Sequence, residues 1–320
     1  MPWLKGNLHC HSTNSDGHAS PEGVAAYYRS IGMDFVTISD HNRLTSPAEY
    51  VAALSEDQAA IPCCEYTGAK SCHVVAVDVE RAVSPEAGQN DRLPIEILQD
   101  GVDRTREAGG VPVLCHPCWN WAYDDSDILQ LTDVSHFEVF NAAPDCNSYP
   151  VAGRSAPEEI WDRVLSAGHW MYGVATDDAH WYDNGETIGK PPTVGSLGGK
   201  GWCVVWAEEL SRAAIRSSFE AGRFYASTGV ELTDYRVSEG GMSVAARLWC
   251  DQRVVVEFIG AGGEVLAREY AATAFYRFRG DEGYVRARIL DSSGGIALTQ
   301  PVFTRSIEDE ISWTSVAARR

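Results

Sequence analysis

The chain has 320 residues, 44% of them hydrophobic, and carries a formal net charge of −19. That length suits one large domain with a smaller one, or two medium ones. The charge argues against a broad basic face for nucleic acid, and no apolar run approaches the ~20 residues needed to span a bilayer. The start, Met1-Pro2-Trp3-Leu4-Lys5-Gly6, lacks the anatomy of a signal peptide. Nine scattered cysteines, an odd number, then read as reduced thiols in a cytoplasmic protein.

Up to about residue 225, apolar strands alternate with helices. Trp3 to Leu8 reads as a strand that ends in His9-Cys10-His11, with Asp16-Gly17 close behind. Ser20-Pro21 opens a helix from Glu22 to Ile31, and Gly32 stops it. Phe35 to Ser39 is the next strand, followed at once by Asp40-His41-Asn42. Ser46-Pro47 predicts a second helix to about Leu54. Ile61 to Tyr66 and His73 to Val79 read as strands, and Pro94 to Ala108 as a helix. Val111 to Cys115 is a buried strand running into His116, and Phe137 to Phe140 is another. Ser155-x-x-Glu158 has capping-box spacing for a helix to Ala167. Met171 to Ala175 delivers Thr176-Asp177-Asp178-Ala179-His180. Val204 to Ala207 is a strand, and Ser211 to Ala221 a helix. The alternation predicts a parallel α/β, barrel-like domain.

Beyond about Gly229 helix signals vanish. Met242 to Trp249, Arg253 to Ile259, Val265 to Tyr270, Phe275 to Arg279, Tyr284 to Leu290 and Ile296 to Thr304 read as strands between glycine-rich turns. Strands at that spacing predict a small antiparallel β-sandwich. The tail from Ser306 to Arg320 is polar. The expected division is residues 1–228 and 229–320.

The strand ends carry the chemistry. A strand has a period of two, so His9 and His11 share a face, and Asp178-x-His180 repeats that geometry with a carboxylate. His9, His11, His41, His73, His116 and His180 all sit at predicted strand ends or starts, the rim where β/α folds place their sites. Glu65 lies inside an apolar strand and needs a partner, either a metal or a salt bridge. Cys10 should face away from the two histidines; Cys64, Cys72 and Cys115 read as filling beside ligands. Cys115-His116-Pro117-Cys118 mimics a C-x-x-C motif but reads as a strand end with a ligand at His116. Asp40, Asn42 and Asp177 are candidate acceptors that orient an imidazole, and Glu138 and Asn141 are candidates for the same rim. Arg43, Lys70 and Arg154 are candidate phosphate-binding cations, with ordinary surface charge as the plainer reading. His18 is a candidate general acid or a solvated loop histidine. His136 and His169 read as structural. Imidazole with carboxylate suits zinc, manganese or iron(II).

These residues, in this order, resemble the PHP (polymerase and histidinol phosphatase) superfamily: His9-x-His11, Asp16-Gly17, Asp40-His41-Asn42, Glu65, His73, the Cys115-His116-Pro117 step and Asp178-x-His180. The resemblance covers roughly residues 3 to 225. The part from Gly222-Arg223-Phe224-Tyr225 onward is similar to stand-alone members with an appended β-sandwich, which include carbaryl-hydrolase-like enzymes. The resemblance implies a distorted seven-stranded β/α barrel followed by that sandwich, with two or three divalent ions. His9, His11, Glu65 and Asp178 would hold the first. Glu65 would bridge to a second held by His73 and His116. Asp16, His41 and His180 would hold a third, and Asp16 stands where some members carry histidine.

The implied activity is hydrolysis of a small phosphomonoester or phosphodiester by a hydroxide bridging the first two metals. His9, His11, Glu65, His116, Asp178 and His180 form the reacting centre, and Arg43, Lys70, Arg154 and His18 are the substrate-binding candidates. A rival is hydrolysis of a carboxyl ester or carbamate. Phosphate-binding cations around the metals would favour the first, and a pocket lined by Trp119, Trp121 and Trp181 the second. A non-catalytic module is a third reading. A small anion could be drawn to the metals despite the acidic chain, whereas long nucleic acid would be repelled.

Overall fold

A computed structural model describes residues 3–151, 153–182 and 197–304. In chain order the elements are β1 (Trp3–Asn7), α1 (Pro21–Ser30), β2 (Phe35–Ile38), β3 (Ala59–Thr67), β4 (His73–Val77), α2 (Pro94–Glu107), β5 (Val111–Leu114), α3 (Asp125–Ile128), β6 (His136–Asn141), α4 (Pro157–Ser166) and β7 (Tyr172–Thr176). Then follow β8 (Trp202–Trp206), α5 (Arg212–Glu220), β9 (Phe224–Ser227), β10 (Leu232–Ser238), β11 (Gly241–Ala246) and β12 (Val254–Ile259). The last are β13 (Val265–Glu269), β14 (Thr273–Arg277), β15 (Tyr284–Asp291), β16 (Ile296–Thr299) and β17 (Val302–Phe303).

The fold is mixed α/β, built on one large sheet ordered β13-β12-β15-β16-β9-β8-β1-β2-β3-β4-β5-β6-β7 and a second ordered β10-β11-β14. Apolar runs explain the first. Every residue of β2, β4, β5 and β8 is buried, as strands covered on both faces require. Helix α1 starts where Ser20 accepts from Gly23 N–H, and buries Val24, Ala25 and Tyr28 along one stripe.

The all-parallel expectation needs correction. β1, β2 and β3 are parallel, as are β5, β6 and β7, but β4 is antiparallel to both β3 and β5. The link from Thr67 to His73 is too short for a crossover, which takes about a dozen residues or more. Reversal has a consequence: the first residue of β4, His73, reaches the rim that other strands reach with their last. At the end of the order, β7 returns to the extension of β1 through a parallel bridge, Cys10 to Ala179, where His11 N–H donates to Ala179 O at 2.8 Å.

Two helix expectations also shift. From Ser46 the chain makes two short 3-10 turns, not an α-helix, because Tyr50 leaves helical geometry to bury its ring. α4 is capped one residue late: Glu159 accepts from Ala156 N–H at 3.0 Å, while Glu158 turns to Arg286.

The C-terminal strands form two sheets with an apolar filling. Val237, Met242, Val244 and Tyr276 belong to the same core cluster as Val256, Phe258, Ala287 and Ile289. The strands β9 and β10 were not anticipated, although Leu232, Tyr235 and Val237 of β10 are buried between exposed or half-buried neighbours. The C-terminal strands join the first sheet through hydrogen-bonded neighbours: β16 pairs with β9, β9 with β8, and β8 with β1. The polar tail from Ser306 lies outside the described residues.

Candidate metal centre

Nine side chains from six strands converge at the rim. His9 and His11 extend β1, and both are fully buried. Cys10 between them turns away, its thiol donating to Thr37 O at 3.0 Å. Asp16 follows on a tight loop. A Cβ on Gly17 would stand 2.2 Å from His11 O, so the loop folds back this closely only with glycine there. His41 follows β2, Glu65 lies within β3, His73 begins β4, His116 follows β5, and Asp178 and His180 follow β7. His116 and Asp178 take positive φ angles of 28° and 48°, uncommon for residues with a Cβ and concentrated at functional sites.

Glu65 sits at the middle. Its Oε1 is 2.8 Å from His73 Nδ1, 3.4 Å from His9 Nε2 and 3.4 Å from His116 Nε2. Its Oε2 is 2.6 Å from His41 Nδ1 and 3.6 Å from His11 Nε2. Asp178 Oδ1 is 3.1 Å from His11 Nε2 and 3.3 Å from His9 Nε2. Asp16 Oδ1 is 3.4 Å from both His41 Nε2 and His180 Nε2. Burial opposes ionisation of all three carboxylates, yet the surrounding imidazoles hold each well below the usual range. In return Glu65 and Asp16 push His41 up to about 10, against its burial. Burial keeps His11 and His73 below the ordinary histidine value.

The donor set fits cations. His9 Nδ1 meets Glu138 Oε1 at 2.7 Å, so it carries the proton. Nε2 then faces two carboxylate oxygens, whose charge with that of Glu138 holds His9 well above the ordinary histidine value against its burial, and it is buried without a hydrogen-bond partner; so is His116 Nδ1. Acceptors facing acceptors in a buried place call for positive charge between them. Ligand atoms lie within 4.8 Å of one another in three such groups: His11, Asp16, His41 and His180; His9, His116 and Asp178; and His41, Glu65 and His73. Cys115 also reaches His9 and Glu65, but its sulfur accepts from Val75 N–H at 3.1 Å, and burial keeps it a thiol.

The candidates around these nine sort differently. Asp40 orients no imidazole directly; it accepts from Ser12, Ser15 and Thr45 and so secures the loop before Asp16. Asp177 accepts from Tyr28 OH and from the N–H groups of Gly199, Lys200 and Gly201. Asn42 accepts from Thr67 N–H, and Thr67 Oγ1 lies 2.7 Å from His41 Nδ1. Thr67 was overlooked, although two residues after Glu65 it shares that strand face. His136 is structural, with Nε2 donating to Phe219 O at 2.9 Å, and His169 is exposed.

The centre opens into a cavity of about 260 Å³ walled by His18, Trp119, Trp181, Asp145 and Cys146. His18 stacks on Trp181 with ring centroids 3.3 Å apart. The three proposed cations do not line it. Arg43 pairs with Glu49, Lys70 donates to Arg92 O, and Arg154 lies over the ring of Trp121, which does not line the cavity either. A larger cavity of about 780 Å³, between β6, α4 and β15–β16, contains none of the nine residues.

No known family model matches the chain, and no curated protein matches it. Solved structures do. A two-domain protein of Bacteroides vulgatus containing a predicted PHP-like metal-dependent phosphoesterase is 15% identical over 94% of this chain and 95% of its own, with a TM-score of 0.48. A candidate metal-dependent phosphoesterase of Bifidobacterium adolescentis is 17% identical over 59% and 90%, with a TM-score of 0.41. A lesion-specific endonuclease of Pyrococcus furiosus is 13% identical over 68% and 55%, also at 0.41. These likenesses are distant, and the chemistry is read from the nine side chains.

Proposed function

We propose that the chain is a PHP-like metal-dependent phosphoesterase acting on a small-molecule phosphomonoester or phosphodiester. In this reading β1 to β7 form a distorted seven-stranded barrel, residues 1–228 carry the activity and residues 229–320 are an appended sandwich. One observation supports it above the rest: six imidazoles and three carboxylates from six strands meet at one rim, and seven of the nine line one cavity. His9, His116, Asp178 and Glu65 would hold one ion, His73 and Glu65 a second, and His11, Asp16, His41 and His180 a third. Bound there, zinc, manganese or iron would acidify a water and neutralise charge on the substrate. The chain supplies the rest. Trp119 and Trp181 wall the approach against bulk water, and the small cavity with its acidic surroundings disfavours long polyanions.

A second reading, hydrolysis of a carboxyl ester or carbamate, is favoured by one observation. Trp119 and Trp181 line the cavity while Arg43, Lys70 and Arg154 do not. The two readings part on a panel of phosphomonoesters, phosphodiesters, carboxyl esters and oligonucleotides, each run with manganese, zinc and iron(II). Fastest turnover of a small phosphoester supports the first reading. Turnover of carboxyl esters alone supports the second, and faster release from oligonucleotides than from every small ester refutes the small-substrate claim.

A further inference from the structure

Glu138 lies in the middle of β6 and is buried to 1% exposure. No lysine or arginine pairs with it among the described residues; four hydrogen-bond donors surround it instead. Its Oε1 faces His9 Nδ1 at 2.7 Å and accepts from Thr176 Oγ1 at 2.7 Å. Its Oε2 accepts from His116 N–H at 2.7 Å and from Asn141 Nδ2 at 2.9 Å. An ionised carboxylate offers about four acceptor positions, two per oxygen, and here all are used. Such a group can only accept, so the nitrogen of His9 that faces it must be the protonated one.

Each contact bears on a different residue of the centre. His9 is left with its Nε2 lone pair toward Glu65 and Asp178, at 3.4 and 3.3 Å. His116 is held by its backbone N–H in the positive-φ geometry that brings its ring to Glu65. Asn141 spans from Glu138 to Asp178 Oδ2 at 3.2 Å, fixing that carboxylate too. One buried carboxylate thereby ties together side chains that follow β1, β5 and β7.

We infer that Glu138 is a positioning residue for the metal centre, which sets His9 to ligate through Nε2 and registers His116 and Asp178 around the same ion. The inference rests on the metal-centre reading. Glutamine has the same shape but replaces one oxygen by an NH2 group. Whichever way that amide turns, it sets a donor against two donors. Turned toward His9, it removes the acceptor that holds the proton on Nδ1.

The test uses the full chain with zinc as the probe. In zinc-loaded protein labelled with 15N-histidine, His9 should show a protonated Nδ1 and a zinc-bound Nε2. Ligation through Nδ1 overturns the inference without need of any variant. Glu138→Gln should keep the wild-type circular dichroism and lose zinc affinity at one site by about 10–100-fold, the range for removing a partner of a ligand. Glu138→Asp, which keeps the charge, should recover part of that loss. A folded Glu138→Gln with wild-type zinc affinity refutes the role of Glu138 alone. Wild-type protein that takes up no zinc, manganese or iron refutes the metal reading beneath it.

Discussion

His41 and His180 reach the same oxygen: each places its Nε2 3.4 Å from Oδ1 of Asp16. His41 arrives from the end of β2 and His180 from the end of β7, while Asp16 stands on the loop after β1 with its side chain 55% exposed. Asp16 is therefore the outermost member of the centre, and the one whose removal disturbs the buried interior least. Asp16→Ala should fold normally and bind one ion fewer per chain than wild type. Metal analysis after dialysis checks this; unchanged stoichiometry would count against the third site.

Stability should respond to pH with opposite signs in the two metal states. In metal-free protein, Glu65 and Asp16 raise His41 to about 10. Between about 6.5 and 10 the folded chain then holds a proton that the unfolded chain has lost. That contribution is complete below about 6.5 and fades as pH rises through 10. Asp16, Glu65 and Asp178 are depressed, so their contribution is present above about 4 and is lost on acidification. Metal binding needs the imidazoles deprotonated, so ions should stabilise the fold more as pH rises from 6 to 8. Thermal melts with chelator and with zinc check it; parallel curves would contradict the assignment.

His116→Ala should keep the fold and lower kcat/KM by at least ~100-fold, about 2.7 kcal/mol of transition-state stabilisation. His116 touches Glu65 through Nε2, and its ring is nearly enclosed. Wild-type turnover in a variant of verified metal content would count against the mechanism.

A separate prediction concerns the seam between α4 and β15. Arg286 is fully buried, pairs with Asp162 at 2.7 Å and with Glu158 at 2.8 Å, and lies 4.8 Å from the Trp161 ring centroid. Arg286→Ala leaves the nearly buried Asp162 without its cation, while Glu158 keeps Arg288, and should destabilise by roughly 3–5 kcal/mol, leaving metal stoichiometry unchanged. Urea denaturation reads the loss; a wild-type midpoint would show that the pairs contribute little.

The convergence of the nine rim residues was legible because strand periodicity and position suffice: a histidine at a strand end faces the rim whatever its neighbours do. The role of Glu138 was not, since a carboxylate inside a buried strand reads alike as rim, salt bridge or support until its partners are known. Those partners, His9, His116, Asn141 and Thr176, come from four segments that the sequence does not connect. The reversal of β4 was readable in the short Thr67 to His73 link, yet alternating strand and helix signals outweighed it. Arg43, Lys70 and Arg154 failed for another reason. Arg43 and Lys70 lie close to His41 and His73 in sequence and Arg154 does not, but in all three a long side chain turns toward whichever acceptor or ring is near. The continuity of the C-terminal strands with β8 and β1 depends on β9, a four-residue strand lacking a distinctive pattern.

The central claim is that nine side chains form a multinuclear metal centre around Glu65. Anomalous diffraction from crystals grown with zinc or manganese, collected on both sides of the metal edge, tests it most directly. The account expects at least two peaks within ~4 Å of each other, with the Glu65 carboxylate bridging them and His9, His41, His73, His116 and Asp178 around them. Metal-replete crystals with no peak at this rim, or with Glu65 several ångströms from every ion, would contradict it.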